Sequence, residues 1–207
     1  MRTKALLLTA ALAAGGSAFA QGTVSKNIVG YVNKTVPKSP ALALINNPLN
    51  NGGNKVSEVI KTTGDLLLYH FVNGSFVSSE SLGGEWVSGG EIVVAPGGGF
   101  FATSTGAASE KVTFVGEVAV GATVSVPAGL SIKSSALPQA GSLKSLEYPV
   151  GDETVYQFVN GAYVGTDSLG GEWVDATGNG PVVSVGEAFW VLNTGSAKTW
   201  SRTFTIN

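Results

Sequence analysis

The 207 residues include no cysteine, one histidine (His70) and one methionine. Without thiols there is no disulfide, no thiolate nucleophile and no cysteine-held zinc or cluster. A lone histidine cannot build an imidazole metal cluster, so no metal and no cofactor is expected. Charge is scarce as well, at 13% of the chain, and the 12 Lys+Arg form neither a cluster nor a stripe. Nucleic acid is therefore excluded as an expected partner, because nothing is placed to neutralise phosphates. The chain also lacks a Gly-x-Ser-x-Gly elbow, a Walker loop, a His-Glu-x-x-His pair and a dinucleotide fingerprint. Gly97-Gly98-Gly99 is glycine-rich, but it precedes a strand and carries no lysine, so it reads as a loop or bulge.

Low charge beside 43% apolar residues and 29 glycines is the opposite of a disordered composition. Apolar residues run continuously only near the start, where Arg2 and Lys4 precede Ala5–Ala14 and Ala18-Phe19-Ala20 forms a small-x-small cleavage site. Residues 1–20 read as a secretory signal peptide, with the mature chain expected to begin at Gln21. Gly15-Gly16-Ser17 breaks the run well short of the ~20 residues a membrane helix needs. Loss of the leader removes Arg2 and Lys4 and leaves ten basic against 14 acidic residues, a net charge of −4. The expected destination is secreted, periplasmic or cell-surface. No later stretch reads as transmembrane, and the aromatic girdles of an outer-membrane barrel are missing.

The most informative positive feature is repetition. Phe71-Val72-Asn73-Gly74 recurs at 158–161, and Ser81-Leu82-Gly83-Gly84-Glu85-Trp86-Val87 recurs at 168–174. A period of 87 residues is too long for a solenoid repeat and suits one small β-domain or half of a two-fold barrel. The alignment extends outward by matching Val29–Val32 with Val115–Val118 and Leu42–Leu49 with Leu130–Leu137. It gives a first β repeat over 21–118 and a second over 114–207, sharing the strand near 114–118. An economical closure pairs Thr203–Ile206 beside Ile28–Asn33, covering both free edges.

Short β-branched and aromatic runs bounded by Gly, Pro, Asn or Ser predict strands throughout, among them Leu66–Val72, Phe76–Ser79, Glu91–Ala95, Glu153–Val159 and Thr199–Ile206. Asn73-Gly74 and Asn160-Gly161 predict tight type I′ hairpins. Only Val56–Lys61 and Ser142–Leu146 look helical, each a single turn. The fold expected is all-β: an internally duplicated β-sandwich or barrel with pseudo-two-fold symmetry and one or two short helical turns.

Trp86 and Trp173, each preceded by a carboxylate (Glu85, Glu172), are the candidate ligand-binding residues. One reading makes each indole a flat platform for a sugar, with the glutamate as acceptor; the other makes each a core plug. Phe100, Phe101, Phe189 and Trp190 read as core. As a catalytic pair Glu85 and Glu172 suffer from their symmetry, since glycoside hydrolysis needs two carboxyls in unlike surroundings. No catalytic residue is assigned. The Asp175–Gly180 loop resembles an oxygen-rich calcium loop only superficially, because it offers one carboxylate.

With Ile28-Val29-Gly30-Tyr31-Val32, Leu44-Ile45-Asn46-Asn47-Pro48-Leu49-Asn50, Thr113–Val118 and Val185-Gly186-Glu187-Ala188-Phe189-Trp190, the chain resembles a family of secreted, internally duplicated β-proteins of verrucomicrobia-type bacteria. The resemblance implies export and β-structure, and no site residue. In the first repeat Gly98 or Gly99 stands where the second has Glu187. The function expected is a non-catalytic secreted or cell-surface β-module that binds glycan or assembles with like subunits. The alternative is a secreted hydrolase acting on polysaccharide through a carboxylate pair.

Overall fold

The computed structural model describes residues 28–203, so the signal peptide expected at 1–20 and the last four residues lie outside it. The first half runs β1 (Val29–Val36), β2 (Ala43–Ile45), α1 (Val56–Val59), β3 (Ile60–Lys61), β4 (Leu66–Val72), β5 (Ser75–Leu82), β6 (Glu85–Ser88), β7 (Phe100–Ser104) and β8 (Glu110–Glu117). The second runs β9 (Ala122–Val126), β10 (Gly129–Lys133), β11 (Gly141–Ser142), β12 (Glu153–Val159), β13 (Ala162–Leu169), β14 (Glu172–Trp173), β15 (Val182–Val183), β16 (Phe189–Asn193) and β17 (Lys198–Arg202). Ser142–Leu146 forms a turn with one α-type bond, Leu146 N to Ser142 O at 2.9 Å, and no helix. Glu91–Ala95 also falls short of a strand, contributing only a bridge from Val93 to Lys55. Among the described residues no helix is long and apolar enough to cross a membrane.

Two five-stranded antiparallel sheets dominate, in the orders β2-β7-β4-β5-β6 and β10-β16-β12-β13-β14. Both central hairpins turn where sequence places them: Asn73 and Gly74 have φ of 50° and 82°, Asn160 and Gly161 of 52° and 81°. These positive values at both central positions are what a type I′ turn requires, and they match the right-handed twist of the flanking strands.

Strand alternation then separates two kinds of core. On β4, Leu66, Leu68 and His70 point to a first-half core with Val36, Phe100 and Phe114, while Tyr69 and Phe71 point the other way. On β16, Phe189 and Val191 join a second-half core with Tyr148, Trp173 and Trp200, while Trp190 points away from it. The outward sets meet. Leu44, Phe101, Ile132, Ala188 and Trp190, with Tyr69, Phe71, Tyr156 and Phe158 against them, form a third cluster between the two sheets. The fold is a sandwich-like all-β arrangement.

The edges close differently from the expected pairing. Val29–Val36 pairs along its length with Glu110–Glu117, and Lys198–Arg202 pairs with Ala122–Val126, so each half closes on itself. Residues 204–206 of the anticipated partner lie outside the described residues. The segment near 114–118 serves only the first half, flanked by β1 and β3. Val29-Gly30-Tyr31-Val32 and Val115-Gly116-Glu117-Val118, alike in sequence, do not occupy equivalent places: β1 and β8 face one another across a ladder, Gly30 opposite Gly116.

Contacts between the halves come in reciprocal pairs. Phe71 meets Trp190 at 4.8 Å between ring centroids, and Phe158, the counterpart of Phe71, meets Phe101, the counterpart of Trp190, at 5.3 Å. Both are edge-to-face, the arrangement that aromatic quadrupoles favour. Ile45 bridges to Glu187 and Lys133 bridges to Gly98. Asn46 N donates to Gly186 O at 3.2 Å, and Ser134 N to Gly97 O at 3.0 Å. Both glycines have positive φ and a side chain lying over them: a Cβ on Gly97 would come within 2.2 Å of Val124, and one on Gly186 within 2.9 Å of Lys34.

Candidate functional site

The residues nominated from sequence separate. Trp173 is only 6% exposed and belongs to the second-half core. Its strand ends after two residues and the following loop folds back over the indole, where a Cβ on Gly180 would sit 2.4 Å from the ring. That leaves no face on which a sugar could stack, so Trp173 is a core plug and the platform reading fails for it. Trp86 is half-buried against the first-half core. Glu85 and Glu172 are exposed on the short edge strands β6 and β14.

The loop over Trp173 also accounts for the calcium-like pattern. One oxygen of Asp175 accepts from the N–H and hydroxyl of Thr177 at 2.7 and 2.6 Å, and the other accepts from Gly180 N at 2.7 Å. These donors, the Thr177 hydroxyl first, hold the carboxyl down at about 2. Its lone pairs serve the loop itself. Among the described residues no group of three or more His, Asp or Glu could hold a metal.

His70 is 4% exposed, its Nε2 2.9 Å from Ser79 Oγ, and burial pushes its pKa down to about 4. It is a hydrogen-bonded, neutral imidazole at pH 7.

The open concave surface lies where the two sheets meet. One cleft of about 410 Å³ is lined by Leu42, Tyr69, Phe76, Phe101, Phe158 and Tyr163. A second, of about 310 Å³, is lined by Leu130, Tyr156, Tyr163 and Trp190. The two match position by position, Leu42 with Leu130, Tyr69 with Tyr156 and Phe101 with Trp190. Tyr163 is 55% exposed and borders both. Phe101 and Trp190, expected simply as core, are buried yet present one side to these clefts. The lining offers aromatic faces with phenol hydroxyls as its polar groups, and no carboxylate among the named residues.

Sequence reasoning passed over Tyr69, Tyr156, Phe76 and Tyr163. The available signal was the 87-residue offset: aromatic character is kept at 69/156 and 71/158, which alternate with the core positions 66/153 and 68/155 on β4 and β12, and at 76/163, directly across the hairpins from 71/158. Comparison with protein-family models, with curated proteins and with solved structures finds no match to this chain.

Proposed function

We propose that this chain is a non-catalytic, exported β-module that binds glycan through its paired aromatic clefts. The observation that supports this reading is the pair itself: two clefts of matching composition, each with a tyrosine (Tyr69 or Tyr156) and a buried ring (Phe101 or Trp190), sharing Tyr163 between them. Aromatic faces stack on the apolar faces of sugar rings while phenol hydroxyls bond to their edges. Two sites on one chain favour a polymer over a short oligomer through effective concentration. The hydrolase alternative draws no support from these linings, which carry no acid or base to act on a glycosidic bond. The test is titration with a length series of neutral oligosaccharides. Tyr163→Ala, at an exposed position, should weaken binding at least tenfold with no loss of thermal stability. Unchanged affinity in that variant, or no binding by any glycan on an array, removes the proposal.

A second reading, assembly with like subunits, draws on exposed apolar residues that recur in both halves: Val72 and Val159, Val77 and Val164, Leu82 and Leu169, Val87 and Val174. Sedimentation of the purified chain at several concentrations decides it. A concentration-independent monomer would count against assembly.

A further inference from the structure

A third cleft, of about 270 Å³, lies apart from the aromatic pair and is lined by His70, Val72, the loop Ile92–Ala95, Gly98, Gly99, Phe100 and Lys133 among others. Its counterpart in the second half shows what such a place holds. There, the Glu187 carboxylate accepts from Gln157 Nε2 at 3.2 Å and from the Ser184 backbone N–H at 2.8 Å. Lys34 lies against the same loop, its Nζ donating to Val185 O at 3.1 Å. The first half repeats the scaffold. Gly98 N bonds Ala95 O at 3.2 Å as Glu187 N bonds Ser184 O at 3.0 Å, and the bridges Lys133–Gly98 and Ile45–Glu187 fix the correspondence.

On that scaffold the side chains differ in one direction. Gly98 replaces the carboxylate of Glu187, His70 replaces Gln157, and the Ala95 N–H takes the place of the Ser184 N–H. The cation changes strand: Val124 stands for Lys34, and Lys133 stands for Ile45. Lys133 is in no ion pair among the described residues. Its ammonium is held below its ordinary pKa by burial, with no carboxylate to offset it. Ser79 Oγ donates to Gly89 O at 2.8 Å, so it accepts from His70 Nε2–H and leaves Nδ1 of the imidazole as an acceptor.

We infer that this cleft receives a small hydroxy-carboxylate whose carboxylate occupies the place that the Glu187 side chain fills in the second half. The Ala95 N–H and the Lys133 ammonium meet the carboxylate, and His70 Nδ1 accepts from a hydroxyl. The inference stands independently of the aromatic clefts, which use none of these residues.

His70 is the sole histidine, so its ring protons are an isolated NMR reporter inside the cleft. Titration of the full chain at pH 7 and constant ionic strength with D-glucuronate and with L-lactate should shift them saturably, while D-glucose should not. A response to both acids marks a site that reads only the hydroxy-carboxylate; a response to glucuronate alone marks one that also reads the sugar ring. Lys133→Ile, which installs the residue that Ile45 supplies at the matching position beside Glu187, should weaken binding at least tenfold. Gly98→Glu should do the same by supplying the carboxylate internally, and the fold admits it: Gly98 does not have positive φ, and the nearest atom to an added Cβ is Ala95 O at 3.4 Å. No saturable shift with either acid, an equal response to glucose, or wild-type affinity in Lys133→Ile overturns the inference whether or not Gly98→Glu folds.

Discussion

Removing the ammonium of Lys198 should damage the fold far more than its place near the end of the chain implies. It ion-pairs with Glu153, whose side chain is 0% exposed while that of Lys198 is 18% exposed. The other carboxylate oxygen has one further partner, Gly151 N at 3.0 Å. Lys198→Ala therefore strands a carboxylate in the core with a single N–H, and one-sided loss of a buried pair costs about 3–5 kcal/mol. Glu153→Leu alone should cost less, because the lysine can reach water. The first half shows how to remove the problem altogether: Leu66, fully buried, occupies the place of Glu153 at the head of the matching strand. Glu153→Leu combined with Lys198→Ala should accordingly return to within about 1 kcal/mol of the parent, since well-packed apolar residues replace buried pairs at little or no cost. Urea unfolding followed by tryptophan fluorescence, with m unchanged across the series, reads all three. A loss under about 1 kcal/mol in Lys198→Ala, the range of a surface pair, would refute the reasoning.

Asn73→Ala and Asn160→Ala should each lower stability by about 1 kcal/mol, because alanine must then hold a positive φ; an unchanged denaturation midpoint in both would contradict the turn assignment. Trp173→Ala should cost about 3–5 kcal/mol, and acrylamide should barely quench that indole in the parent. His70 makes stability fall on the acid side. Its folded pKa of about 4 lies below the ordinary 6.5, so the unfolded chain takes up the proton first, and stability present above pH 6.5 is lost as pH drops toward 4. The change between pH 7 and 4.5 should be about 2–3 kcal/mol larger in the parent than in His70→Gln, measured by denaturant titration at both pH values. Equal pH dependence in the two proteins would contradict a buried neutral imidazole.

The hairpins were legible because a two-residue Asn-Gly turn between alternating runs fixes register locally, and β4, β5, β12 and β13 appear as expected. The outer ribbons were not. The similar segments Val29–Val32 and Val115–Val118 lie on strands that pair with each other, whereas the equivalent strands β1 and β9 share little beyond Val36-Pro37 and Val126-Pro127. Trp86 and Trp173 stood out for being identical, but identity does not reveal which face of a strand a loop will cover, and the Asp175–Gly180 loop decided that for Trp173. The clefts were illegible for a different reason. Tyr163 meets Phe101 and Trp190 only after two sheets have packed, and no local pattern encodes that packing.

The reciprocal contacts between the halves have the form of an isologous interface, the kind a dimer of identical half-length chains makes across a two-fold axis. In such a dimer any substitution strikes twice, so a glutamate gained at one loop would appear at both. On a single chain the two sides are free to diverge. Gly98 opposite Glu187, Lys133 opposite Ile45 and Phe101 opposite Trp190 are differences that symmetric subunits could not hold, and through them one protein carries a loop whose own carboxylate meets its donors beside another that has no such carboxylate.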